Sequence, residues 1–243
     1  MDEQFQERSY RVACEARGFS AFTARVKETD LWIRATADLG QRAVESILNH
    51  RRGLEAYGRE HPAFFASLNP LPLDPLAPPL VRSMLAAGQA AGTGPMAAVA
   101  GAIAQAVAGD LLALSPQVAV ENGGDVYLAL DQTATVGLWA GDSPLSGRVG
   151  LRIPAPRMPI AVCTSSGTVG HSLSLGRADA ATCLAADAAL ADAVATALGN
   201  RVQGPADLAK ALDWAQGVPG VLGALVVKGS QLAAWGEVEL VRL

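Results

Sequence analysis

The sequence predicts an α+β fold in which antiparallel sheets pack against helices built from small residues. Blocks of strand-like alternation stand apart from blocks of helical periodicity instead of alternating with them, which favours antiparallel hairpins over a doubly wound sheet. Short apolar runs are separated by Gly and Asp at hairpin spacing. Half of the 243 residues are hydrophobic but only 5% are aromatic, and 25 are glycine. The apolar mass is therefore Ala, Leu and Val, so that helix and sheet can approach closely. A chain of this length buries a large core, and we expect a single domain over residues 1–243 with a proline-dense strap or linker at 69–79.

Residues 10–36 alternate as strands do, over 11–16, 19–27 and 29–35, and read as an antiparallel meander. Asp38 can cap a long polar helix reaching Glu60, because its carboxylate can accept an orphan N–H while Val44, Ile47, Leu48 and Leu54 share one face. His61-Pro62 ends that helix, and the prolines of 69–79 sustain neither helix nor central strand. Two helices are expected at 80–91 and 95–109, the second apolar all round and hence buried. Strands follow at 118–121, 126–131, 135–139 and 160–163. A helix at 187–198 is capped by Asp187 and stopped by Gly199-Asn200, and a shorter one covers 208–214. Strands at 221–227, 231–235 and 238–242 close the chain. A strand, a glycine turn and a small-residue helix occur in both halves, which hints at a duplicated unit.

A net charge of −4 with no Lys/Arg run longer than a pair lacks the electrostatic footprint of a nucleic-acid binder. Cys14, Cys163 and Cys183 are widely spaced without a CxxC, which points to buried thiols in a reducing compartment. The N-terminus is charged and has no apolar signal region, so we expect a cytoplasmic protein. The charge-poor region 83–120 is rich in Gly and Ala and interrupted by Pro95, Gln105 and Asp110; it reads as buried helix and not as a membrane span.

Candidate chemistry gathers at three places. The turn Asn122-Gly123-Gly124-Asp125 can present successive N–H groups to an anion, although the same residues make an ordinary hairpin turn. Thr164-Ser165-Ser166-Gly167 follows a strand with hydroxyls suited to a pyrophosphate or ribose, and His171 lies just beyond as a ligand contact or a structural histidine. Asp192 and Thr196 lie four apart on the expected helix, so a carboxylate and a hydroxyl can reach one hard cation; alternatively Thr196 bonds back to the Asp192 carbonyl. Walker and GxGxxG patterns are absent. A serine hydrolase using Ser165 or Ser166 with His171 and Asp179 is a weaker reading, since there is no GxSxG elbow.

In their order these motifs resemble the ApbE-like family, whose best-known members are flavin transferases that move FMN from FAD to a protein threonine with magnesium. Val120 to Val126 is similar to that family's strand-GGD turn, Thr164 to Gly167 to its TSG segment, and Ala191-Asp192-Ala193-Val194-Ala195-Thr196-Ala197-Leu198 to its ADALATAL helix. The resemblance covers roughly residues 94–200, and the Gly-Pro-Met-Ala-Ala-Val-Ala-Gly segment looks like a short, uncharacterised branch. It implies an ApbE-like fold with Mg²⁺ on Asp192 and Thr196, and FAD or FMN lined by Asn122, Gly123, Gly124, Asp125, Thr164, Ser165, Ser166, Gly167 and His171. His171 and Asp192 are the candidate catalytic residues.

Two departures stand out. Family transferases usually carry a lysine in the turn that here reads Gly94-Pro95-Met96, and a His-x-x-Asp-Pro-x-x-Gly loop where this chain has His171-Ser172-Leu173-Ser174-Leu175-Gly176. Both remove contacts expected to secure a dinucleotide. The alternative to a transferase is therefore a cofactor carrier or a homo-oligomeric interaction protein that has lost the chemistry.

Overall fold

A computed structural model describes residues 18–167 and 175–243. Strands β1 (Ser20–Val26) and β2 (Thr29–Ala35) form a hairpin. Helix α1 (Gly40–Glu60) begins where Asp38 Oδ1 accepts the Gly40 amide at 2.9 Å, and the short α2 (Ala63–Ala66) follows it. Helix α3 (Pro79–Ala91) ends at Gly92 in the left-handed conformation. A 3-10 turn (Pro95–Ala98) then runs into α4 (Val99–Leu112). Next come β3 (Val118–Asn122), β4 (Asp125–Ala129), β5 (Ala134–Gly137), β6 (Val149–Ile153), β7 (Ile160–Ser165) and β8 (Ala180–Ala185). Helices α5 (Ala188–Asn200) and α6 (Leu208–Gln216) precede β9 (Val221–Lys228), β10 (Gln231–Gly236) and β11 (Leu240–Arg242).

The eight-stranded sheet runs β1-β2-β3-β4-β7-β8-β9-β10 with every pairing antiparallel, and a second sheet runs β11-β6-β5. Alternation along each strand divides the large sheet's side chains between two cores. Ala161 and Cys163 of β7 and Tyr127 of β4 face the helices, whereas Ile160, Val162 and Leu128 face Leu151 and Ile153 of the small sheet. The layers are thus helices, large sheet, small sheet. Helix α4 lies over β3 and β4, α5 over β7 and β8, and α6 over β9 and β10, while α3 stacks on α5. The proline-dense residues 69–79 are tied to α1 by the Tyr57 hydroxyl on Asp74 (3.1 Å) and to α3 by the Gln89 amide on the Leu71 carbonyl (2.7 Å).

Most expected elements are present, with shifted ends. The meander's first strand at 11–16 lies outside the described residues. The helix expected to stop at Gly199 continues to Asn200, held by Arg201 N–H donating to Leu198 O and Gly199 O. Strands β6 and β8 were not anticipated: β8, Ala-Ala-Thr-Cys-Leu-Ala, is buried at every position and so shows no polar alternation. The segment Pro95–Leu112 is apolar and long enough to cross a membrane by composition, yet α4 packs against α1, α5 and the sheet, which makes it a core helix.

Close approach of α4 to α5 depends on Gly101. A Cβ there would lie 2.3 Å from the Ala188 carbonyl oxygen and 2.9 Å from Asp192 Cβ. Replacing Gly101 with Ala should therefore destabilise the protein by about 1–3 kcal/mol, the usual range for overpacking, measured as a lower urea midpoint with an unchanged m-value.

Candidate functional site

At one end of the α4–α5 contact, four chain segments converge. Hairpin β3–β4 turns through Gly123 (φ +70) and Gly124 (φ +115), with Asn122 and Asp125 directly paired. Two consecutive positive φ values explain the Gly-Gly pair and make this a two-residue hairpin turn. The turn is anchored to the neighbouring helix: the buried Asn122 side chain donates to the Ala100 carbonyl at 3.0 Å, and the Gly124 amide donates to Glu121 Oε1 at 3.1 Å. It also adjoins the TSSG segment, since a Cβ on Gly124 would lie 3.3 Å from the Thr164 carbonyl oxygen.

Asp192, on the second turn of α5, is only 8% exposed, and its Oδ2 accepts the Gly101 amide at 2.9 Å. It thereby serves the first turn of α4, which has no capping side chain of its own. The N-terminus of α5 is closed by Asp187, which accepts the Ala189 and Leu190 amides, and by Gln105 of α4, whose Oε1 accepts the Ala188 amide at 2.7 Å. Helices α4 and α5 thus exchange polar contacts in both directions.

Asp125 faces the same space from the sheet. It is 6% exposed and, among the described residues, keeps Oδ1 buried without a partner, while the neighbouring Cys163 thiol donates to the Ala188 carbonyl at 3.6 Å. Burial, followed by the charge of Asp192, holds its carboxyl well above the ordinary range. Burial likewise raises Asp192 to about 7, against the opposing bonds from Gly101 and Ala100. The Cys163 thiol is pushed up by its own burial and by the charges of Asp125 and Asp192, so it is a poor nucleophile here.

Of the residues expected in the site, the structure brings Asn122, Gly123, Gly124, Asp125 and Asp192 together around the start of α4. Thr196 is half-buried one turn further along α5. In the TSSG segment, alternation puts Ser165 on the helix face with Cys163. Thr164 points to the opposite face, where its hydroxyl meets that of Thr182 at 2.9 Å. Ser166 and Gly167 follow the strand end, and the Gly167 amide donates to the Ala178 carbonyl at 2.9 Å. The segment's far side is tied to the end of α5 by the Leu175 amide on Asn200 Oδ1 (2.8 Å) and the Arg177 amide on the Val202 carbonyl (2.7 Å). His171 lies outside the described residues.

Asp179, the acid of the hydrolase reading, is held by Lys228 Nζ at 3.0 Å and the Gly229 amide at 2.6 Å, which commits both its oxygens to the β9–β10 turn. The sequence reading did not single out Gly101 or Cys163 as partners of the two aspartates. The pairing Asp125↔Cys163 emerges only from the β4–β7 register, which no local pattern specifies.

Asp192 carries a sign that can be checked. A carboxyl raised in the folded state binds more protons there than in the unfolded chain, so its stabilising contribution is full below the ordinary value of 3.8 and is lost as pH rises through about 7. The metal-free protein should lose thermal stability across that window, and Asp192→Asn should flatten the profile. A wild-type Tm that is level or rising from the acid to the neutral end contradicts the burial-raised carboxyl.

A family model described as AbpE bacteria matches residues 11–230. A UPF0280 protein of Methanocella arvoryzae is 42% identical over 219 residues, covering 88% of this chain and 87% of its own. One from Methanosarcina acetivorans is 45% identical over 199 residues, covering 81% and 78%. Among solved structures, the apo flavinyl transferase ApbE of Pseudomonas stutzeri superposes with a TM-score of 0.51 at 15% identity, covering 89% of this chain and 93% of that one. The ApbE protein of Thermotoga maritima gives 0.53 at 14% identity, covering 90% and 97%. Identities this low establish a shared fold and nothing finer.

Proposed function

The chain belongs to the AbpE bacteria family, and from that premise we propose that it holds the phosphates of a flavin nucleotide, FAD or FMN, with the help of magnesium. The observation that carries this reading is the unpartnered Oδ1 of Asp125, buried beside a second buried carboxylate, Asp192. Two neighbouring carboxylates out of water call for a proton or a cation. Hard oxygen donors suit Mg²⁺, which takes few protein ligands and keeps its waters or phosphate oxygens for the rest. Asp192 and Thr196 would hold the ion, with Asp125 behind them. When bound, magnesium would neutralise phosphate charge and polarise a phosphoryl oxygen.

The chain's own groups do the remaining work. Asn122 fixes the Gly-Gly turn against α4 and Glu121 holds the Gly124 amide, so that the turn's backbone is set before a ligand arrives. Ser165 and Ser166 offer hydroxyls from the strand end, with Gly167 allowing close backbone approach. Thr164 contributes its backbone here, its hydroxyl being engaged by Thr182. His171 is the proposed proton-transfer and ligand-lining group of this segment. The reaction class that follows is a phosphoryl-type or nucleotidyl-type transfer, as in a flavin transferase.

A second reading, a carrier that binds the cofactor without turning it over, is favoured by the turn at Gly94. A Cβ there would fall 1.8 Å from the Ser67 carbonyl oxygen, so the backbone packing at this position leaves no room for a side chain. We further infer a cytoplasmic setting, because Cys163 and Cys183 oppose each other on adjacent strands and are free thiols.

The discriminating experiment is a thermal shift with FAD and FMN, each with and without Mg²⁺. Ligand at about 100 times its dissociation constant adds about 2.7 kcal/mol to stability. A magnesium-dependent shift should appear in the wild type and vanish in Asp192→Ala and in Thr196→Val. A shift equal with and without the metal, or retained in both variants, sinks the site. Flavin binding without transfer to any protein acceptor selects the carrier.

A further inference from the structure

The edge of the large sheet at β10 carries an inference independent of the cofactor site. Among the described residues β10 pairs with β9 alone and stands last in the sheet order. Its turn, Gly229-Ser230, closes on the paired Lys228 and Gln231, with Gly229 at φ +61. The closing pair of a two-residue turn exchanges its bonds inward, so the alternate residues Leu232, Ala234 and Gly236 direct their backbone groups away from β9. The Gly236 carbonyl is taken by the Val238 amide, which leaves the amides and carbonyls of Leu232 and Ala234 and the Gly236 amide as a ladder open among the described residues.

Soluble proteins usually protect such an edge with a charge, a proline or a bulge. None of these is present in Gln-Leu-Ala-Ala-Trp-Gly, and the β9–β10 register is continuous from Gln231 to Gly236. The edge is also held rigid. The Gly229 amide donates to Asp179 Oδ2 at 2.6 Å, and its carbonyl accepts the Ser143 hydroxyl at 2.7 Å. Both flanks are apolar: Trp235 is half-buried on the helix side, and on the other side Leu232 packs with Leu138 and Ala140.

We propose that β10 is a homodimer interface, where a second copy of this chain extends the antiparallel sheet across a two-fold axis. The argument for a second copy over another strand is self-complementarity. An axis perpendicular to the sheet preserves its faces, so paired residues must share parity. An axis at Ala233 meets that condition, pairing Leu232 with the partner's Ala234 and bringing the two open ladders into register. Copying the edge onto itself brings no like charges together, because Lys228 is paired with Asp179 and Glu237 with Arg157. A six-residue strand buries less than a stable dimer needs, and the side chains on its two faces, Trp235 on one and Leu232 on the other, supply the additional apolar area from each copy. The interface lies three strands from β7, roughly 14 Å at the usual strand spacing, so it leaves the candidate site untouched.

The test is light-scattering mass across a dilution series of the full chain. Wild type should show twice the chain mass, and Ala234→Pro should halve it. That substitution removes an outward amide while leaving the β9 ladder intact. Ala234→Lys, which protects the edge by charge, should do the same. Both variants should keep the wild-type far-ultraviolet spectrum. Hydrogen exchange on the wild type gives a readout that does not depend on variant folding: the Leu232 and Ala234 amides should be protected in concentrated protein and exposed on dilution. A monomeric wild type at every concentration, a dimer unaffected by both variants, or exchange at these amides that is fast at all concentrations overturns the proposal.

Discussion

The hydrogen bond from the Gly101 amide to the Asp192 carboxylate joins the two helices on which the rest of the architecture is arranged. It is buried and charge-assisted, the class of hydrogen bond with the larger individual contribution. It forms only because residue 101 has no side chain to hold α4 away from α5. Beside it α4 lies over β3 and β4, and α5 over β7 and β8, so that the Gly-Gly turn meets both helices at this one contact. The Asn122 bond to Ala100 repeats the constraint from the sheet side, one residue earlier on the same helix turn.

The same contact sets the electrostatics. Asp192 leaves water to serve an amide, and Asp125 leaves water because β4 alternation turns it toward the helices. Burial raises both carboxyls, and the charge of Asp192 raises Asp125 further. A fold optimised only for stability would replace such a pair by apolar side chains, as buried ion groups rarely repay their desolvation. Under the proposed function, the strain of two buried acids is what makes the place receptive to a divalent cation, and phosphate follows the cation.

Much of this was legible in the sequence because the signals were local. Asp187 before a run of alanines is a helix start, Gly123-Gly124 between apolar strands is a hairpin, and the four-residue spacing of Asp192 and Thr196 needs only helical geometry. What stayed hidden was non-local or lacked contrast. Strand β8 is buried on both faces, so alanine and cysteine follow one another with no period to read. Strand β6, Val-Gly-Leu-Arg-Ile, lies in a glycine-containing stretch where a loop reads equally well. The apposition of Asp125 to Cys163 depends on the register of strands more than thirty residues apart. The opposite orientations of Thr164 and Ser165 follow from the strand continuing to Ser165, two residues beyond its expected end.

The most direct measurement is a crystal structure of the protein soaked with FAD and Mn²⁺, read in an anomalous difference map. Manganese takes the same hard-oxygen ligands as magnesium and reports its own position. A single peak at about 2.1 Å from an Asp192 carboxylate oxygen and the Thr196 hydroxyl, the distance expected for such an ion, with flavin phosphate beyond it, is the predicted result. Flavin density without a metal peak at Asp192, or a metal peak away from the Asp125–Asp192 pair, would contradict it.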